Sequence, residues 1–92
     1  MSGSFEWDEV KRRQNLHDHE LDFIDVLPLF EGSVLESVDD RFNYGETRIR
    51  CLGEIGGRVY VVIYTWRSGR RRLISARKAN VREQRAYYAR DT

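Results

Sequence analysis

The 92-residue sequence holds one cysteine, one proline, one methionine and two histidines. The lone Cys51 cannot close an internal disulfide, so a reducing cytoplasm is the compartment expected. It reads as a small buried hydrophobe. No apolar run approaches the ~20 residues of a membrane helix. No membrane association is expected. The first residues, Met-Ser-Gly-Ser-Phe-Glu-Trp-Asp, have no basic start and no apolar core, so no secretion signal is expected. Residues 1–4 are expected to be disordered. No P-loop or dinucleotide-binding glycine pattern occurs. One Cys and no HxxxH spacing leave no expected zinc site. His17 and His19 are two apart and would not face each other on a helix. The adjacent Asp39 and Asp40 read as turn formers rather than Mg²⁺ ligands. No metal and no other cofactor is expected.

What the chain has is charge, unevenly placed. Hydrophobic residues make up 40% and charged residues 34% of the chain, which fits a soluble folded domain and not a disordered one. Ninety-two residues make a single domain, residues 1–92, with one modest core. The net charge of +1 conceals an asymmetry. Residues 1–46 carry four Lys/Arg and twelve Asp/Glu, a net of −8. Residues 47–92 carry twelve and three, a net of +9, and eleven of those twelve cations are Arg. Arg presents a planar fork that suits phosphate oxygens and stacks on bases. The plain alternative is that the halves neutralise each other across the fold.

The most ordered stretch runs from Arg58 to Lys78. Arg58–Trp66 is rich in β-branched and aromatic residues and apolar on both faces, which predicts an interior strand. Ser68-Gly69 predicts a tight turn, and Arg70–Lys78 the antiparallel partner. Glu46–Ile55 predicts another strand, with Glu46, Arg48, Arg50 and Leu52 on one face, and Gly56-Gly57 turns it into the next. Ser33–Val38 reads as an outer strand and 39–45 as an exposed loop. Before them, Asp8 caps a helix over Glu9–His17 with a thin apolar stripe of Trp7, Val10, Gln14 and His17. A short helix over Asp22–Leu27 buries Phe23, Ile24, Leu27 and Phe30, and Pro28 limits it. Asn80 with Glu83 forms a capping box for a last helix to about Ala89. The expectation is therefore α+β: two N-terminal helices, a four-stranded mainly antiparallel sheet, and a C-terminal helix. All helices would pack on one face, leaving an Arg-bearing face open.

An inventory of Arg, Tyr, His and Glu suits metal-independent RNA cleavage. The ribose 2′-hydroxyl already lies beside the scissile phosphate. The protein has only to position it, stabilise phosphoryl charge and move two protons. Arg72 and Arg77 are the leading catalytic candidates. Their odd spacing puts them on opposite faces of a regular strand, so a bulge or the strand end must bring them together. His19 is the proton-transfer candidate, and equally a helix-end histidine. Arg67 and Arg48 are candidate phosphate contacts. Tyr87 is a candidate base-stacking residue, with Tyr88 beside it; one of the two is expected to pack the helix onto the sheet. Trp7 reads as a core anchor. A non-catalytic module whose Arg-rich face binds RNA, or only an acidic partner segment, remains open as an alternative.

A run of residues carries a family resemblance. In order come Phe5-Glu-Trp-Asp8, Asn15 with His19, Asp39-x-Arg41, Gly45-Glu46-x-Arg48, Gly53…Gly57-Arg58, Val61-Val62…Thr65-x-Arg67, Arg72-Leu-Ile-Ser-Ala-Arg77-x-Ala79 and Glu83-x-x-x-Tyr87. Over Phe5–Tyr88 the chain resembles the BrnT toxins of type II toxin–antitoxin systems. The resemblance implies a RelE-like ribonuclease fold, a bacterial cytoplasmic location and RNA cleavage that arrests growth. It also implies a partner antitoxin of the BrnA type, which dimerises and binds operator DNA, so the toxin would reach DNA only within that hetero-oligomer. Where the family usually reads Asn-x-x-Lys-His-Gly, this chain has Asn15-Leu-His-Asp18-His19-Glu20. Asp18 in place of the Lys reverses the local charge, and Glu20 stands in place of the Gly.

Overall fold

The computed structural model describes residues 4–41, 43 and 45–90. In chain order it comprises β1 (Phe5–Trp7), α1 (Glu9–His19), α2 (Phe23–Val26), a 3-10 helix (Leu27–Glu31), β2 (Val34–Asp39), β3 (Arg48–Ile55), β4 (Arg58–Arg67), β5 (Arg70–Lys78) and α3 (Val81–Tyr88). The disorder expected of residues 1–4 falls, for 1–3, outside the described residues, as do positions 42 and 44 of the expected loop.

The sheet has five strands rather than four, in the order β1-β5-β4-β3-β2. The extra strand is β1, which pairs parallel with β5 through Phe5↔Arg71, Glu6↔Arg72 and Trp7↔Leu73. Three residues show no periodicity in the sequence, so nothing local marks them as a strand. The other pairings are antiparallel hairpins. Gly56 and Gly57 both take positive φ, 57° and 82°, the pattern a two-residue hairpin turn needs. Ser68 and Gly69 repeat it at 53° and 77°. β4 lies in the middle of the sheet, as its two apolar faces require.

The helices do not share one face. Phe23, Val26 and Leu29 pack with Cys51, Val62, Tyr64, Leu73 and Ala76 in one cluster. Leu52, Val59, Val61, Ile63, Ala79 and Tyr87 form a second. Alternation along β4 puts Val62 and Tyr64 on one side and Val59, Val61 and Ile63 on the other. The first face therefore carries α2 and the 3-10 helix, and the second carries α3. An apolar central strand had to be covered twice, and one helix layer cannot do that. Trp7 anchors the first core edge-on to Phe23, with centroids 6.0 Å apart. Within α2 the buried side chains are Phe23 and Val26, while Ile24 is 55% exposed. The stripe expected on α1 is absent too: Val10 is 63% exposed.

What holds α1 is polar. Asp8 caps it, accepting from the Val10 N–H at 2.8 Å. Asn15, the helix's buried residue, docks it onto β5. Its Oδ1 accepts from the Ala76 N–H at 3.0 Å, and its Nδ2 donates to the Ala76 carbonyl at 2.9 Å. The same amide donates to the Leu21 carbonyl at 2.9 Å. One side chain thus supplies an extra rung to the β5 edge beyond the reach of β1, satisfying main-chain groups that burial would otherwise orphan.

Candidate functional site

The ladder of β5 against β4 slips by one residue. Ile63 pairs with Ser75, but Tyr64 pairs with Leu73, so Ile74 is an extra residue on β5. The slip changes parity. Arg72 pairs with Thr65, and Arg77 with Val61, and both partners lie on the α3 side of the sheet. A bulge therefore brings Arg72 and Arg77 to one face. Register adds Arg48 and Arg50, which pair with Asp39 and Ser37 of β2 on that same face. Glu6 of β1 joins them opposite Arg72.

One face is not one point. Arg72 and Arg77 stand about 15 Å apart along the strand, too far to grip a single phosphate. Each also has an acidic partner. Arg77 forks onto Glu83, Nη1 to Oε1 at 2.8 Å and Nη2 to Oε2 at 2.7 Å. Glu83 in turn closes the capping box: its Oε1 accepts from the Asn80 N–H at 2.9 Å while Asn80 Oδ1 accepts from the Glu83 N–H at 2.8 Å. Arg77 holds the Glu83 carboxyl below its usual range, with the Asn80 amide and Arg50 adding to the effect. Arg72 donates to Glu6 Oε2 at 2.9 Å, and Arg48 donates to Glu46 Oε2 at 3.1 Å. These acids fix the directions of the guanidinium groups and reduce their net charge. Ion pairs do not consume all the donors of a guanidinium, which has five.

Arg50 is different. Its side chain makes no hydrogen bond among the described residues, and its Nε, like that of Arg71, is buried without a partner. Asp39 and Glu83 both feel its charge. Asp39 is itself buried and bonded to Arg41 at 2.8 and 3.1 Å, which depresses its carboxyl. In order of neighbours, Arg41, Asp39, Arg50, Glu83 and Arg77 alternate in charge between the β2–β3 edge and α3.

His19 sits in the last turn of α1, exposed. With Glu20, Arg77 and Lys78 it lines a shallow hollow of about 380 Å³. A smaller one beside it, about 180 Å³, is bordered by Lys11, Asp18, His19 and Ser75. The structure thus brings His19 to Arg77. Arg72 and Arg48 lie farther toward the β4–β5 turn, and Arg67 is exposed at that turn. Glu20 adopts the left-handed region at φ 55° and donates its N–H to the Leu16 carbonyl at 2.9 Å.

Tyr87 is not on the surface. It is 3% exposed, its hydroxyl donates to the Ser33 carbonyl at 2.8 Å, and the Arg90 guanidinium covers its ring at 3.7 Å. The exposed ring is Tyr88, at 53%. Two further groups are poor proton carriers near neutrality. Burial, with Glu36 nearby, pushes the Cys51 thiol up to about 12. Burial and the bond to Glu36 push the Tyr64 phenol up to about 12. Among the described residues, no three His, Cys, Asp or Glu side chains gather to hold a metal ion. None of their helices is long and apolar enough to cross a membrane. Arg50 was visible in the sequence as a face-mate of Arg48, but its lack of an acid partner was not.

The site is a row of arginines oriented by carboxylates on one face of a small α+β sheet, with His19 at its edge. The chain belongs to the family described as "Ribonuclease toxin, BrnT, of type II toxin-antitoxin system", whose sequence profile it matches over residues 7–83. Membership makes it a ribonuclease toxin with an antitoxin partner. No curated protein matches the chain.

Proposed function

We propose that this protein is a metal-independent endoribonuclease with a RelE-like fold, acting in the bacterial cytoplasm on single-stranded RNA. Its antitoxin is of the BrnA type, and operator DNA is contacted only through that partner. The observation that carries the reading is the β5 bulge, which places Arg72 and Arg77 on one face with His19 beside Arg77.

In this mechanism the 2′-oxygen attacks the adjacent phosphorus and the 5′-oxygen leaves, giving a 2′,3′-cyclic phosphate. The 2′-hydroxyl loses a proton and the 5′-oxygen gains one. His19 carries one of these transfers, since imidazole titrates nearest neutral pH. Arg77, held rigid by Glu83, stabilises charge on the scissile phosphoryl oxygens. Arg72, Arg48 and Arg67 hold flanking phosphates along the same face. The ring at the α3 end that can stack on a base is Tyr88, because Tyr87 is covered.

Incubation of purified protein with RNA in excess chelator tests the reading. Cleavage is expected, lost on Arg77→Ala and reduced on Arg72→Ala and His19→Ala. Intact RNA, bound but uncut, would instead establish the second reading, a non-catalytic RNA- or antitoxin-binding module. That reading draws on the acid partner of each of Arg48, Arg72 and Arg77 and on Asp18, a carboxylate next to the candidate histidine.

A further inference from the structure

The geometry points to the cleft between α3 and the β2–β3 edge as a base-reading subsite that takes guanine. This rests on the ribonuclease reading and specifies its substrate. The cleft encloses about 460 Å³. Leu35, Leu52 and Ala86 give it an apolar lining, while Arg50, Arg82 and Glu83 supply polar groups. Apolar walls with a few convergent polar groups are what a small-ligand site requires. Bases of single-stranded RNA can be splayed into such a site and read at their edges.

Arg50 supplies the reading group. On this face Arg48, Arg72 and Arg77 are each bonded to a carboxylate. Arg50 is bonded to none among the described residues, and its Nε is a buried donor still lacking an acceptor. That atom is enclosed by protein, so a ligand in the cleft would meet the terminal Nη atoms of the fork. The planar guanidinium fork matches the adjacent O6 and N7 acceptors of guanine. Adenine presents N7 beside a donor amino group and cannot accept both bonds. Placement links the cleft to the chemistry: Glu83 lines it and also holds Arg77. A base seated there is a near neighbour of the phosphate at Arg77.

The test uses the whole chain and RNA hexamers of adenosine carrying one guanosine at each position in turn. Every 2′-hydroxyl is replaced by 2′-fluoro, which keeps the RNA-like sugar but cannot attack phosphorus, so none can be cleaved, and affinity is read by fluorescence anisotropy. One guanosine position is expected to bind about tenfold or more tighter than the all-adenosine hexamer. Arg50→Lys keeps the charge without the fork and is expected to abolish that difference; Arg50→Gln is the second variant. Equal wild-type affinity for all hexamers overturns the subsite, as does full discrimination in either variant. Parallel reactions on all-ribose hexamers separate the two claims. Cleavage with no guanosine preference in either assay overturns the subsite alone. Guanosine-selective binding without cleavage overturns the ribonuclease reading alone.

Discussion

Glu83 is shared by three interactions: it caps α3 through Asn80, orients Arg77, and sits in the field of Arg50. Its carboxyl is held below the ordinary 4.5, chiefly by the Arg77 hydrogen bond. A depressed carboxyl means that the unfolded chain binds the proton more readily than the folded one. The stability it contributes is present above the unfolded value and is lost as pH falls through the folded one. Asp39, depressed by Arg41, acts in the same direction. Urea midpoints measured from pH 6 to pH 3 should fall below about pH 4.5, and Glu83→Gln should flatten that fall while Asp39 keeps part of it. An equally steep fall in the variant would show that Glu83 is not responsible. Glu20 offers a second residue-level test. Its left-handed φ of 55° suits glycine, so Glu20→Gly should raise stability by about 0.5–1 kcal/mol in urea unfolding.

Between elements, the 3-10 helix packs directly over Gly53 of β3. A Cβ at Gly53 would fall 2.4 Å from Leu29 Cγ, and Leu29 is 1% exposed with nowhere to retreat. Gly53→Ala should therefore cost about 1–3 kcal/mol, seen as a lower urea midpoint at unchanged m. At this scale the sequence was legible where pattern and turn chemistry agreed. β3, β4 and β5 showed their alternation, the paired turns their glycines, and α3 its capping box. It was not legible where a partner distant in the chain decides. β1 is a strand because Arg71–Leu73 lies beside it, and α1 is docked by one asparagine rather than an apolar stripe. The bulge at Ile74 has no composition of its own, so the sequence could state the need for it without locating it. Arg77 and His19 were readable as candidates by type; that Glu83 grips Arg77, and that Tyr87 is buried, are facts of the docking of α3.

For the molecule as a whole, Arg48, Arg50, Arg72 and Arg77 share one face of the sheet, while Arg71 lies on the other against Phe30, Tyr64 and Trp66. Ion pairs Glu6–Arg72 and Glu46–Arg48 cross between the acidic and basic halves of the chain, while Arg77–Glu83 and Arg41–Asp39 close within one half. If Arg48, Arg67, Arg72 and Arg77 each meet a phosphate, RNA affinity should fall with salt at a log–log slope of about −3. Each Ala substitution among them should reduce that slope by about 0.7, in titrations across 50–300 mM salt. A slope near zero would remove the phosphates from the account.

β1 pairs with β5, and Glu6 finds Arg72 sixty-six residues later. Every other strand meets its neighbour through a hairpin or short loop and can form as it is synthesised. The first strand has to wait. At about 5–20 residues per second of translation, Phe5–Trp7 stays unpaired for roughly 3–13 s after it is made. Over that interval the β5 edge and the face carrying Arg72 do not yet exist. A chain still on the ribosome is thus incomplete at its proposed phosphate contacts until Arg70–Lys78 has emerged and paired, so activity should begin only after that strand is free to fold.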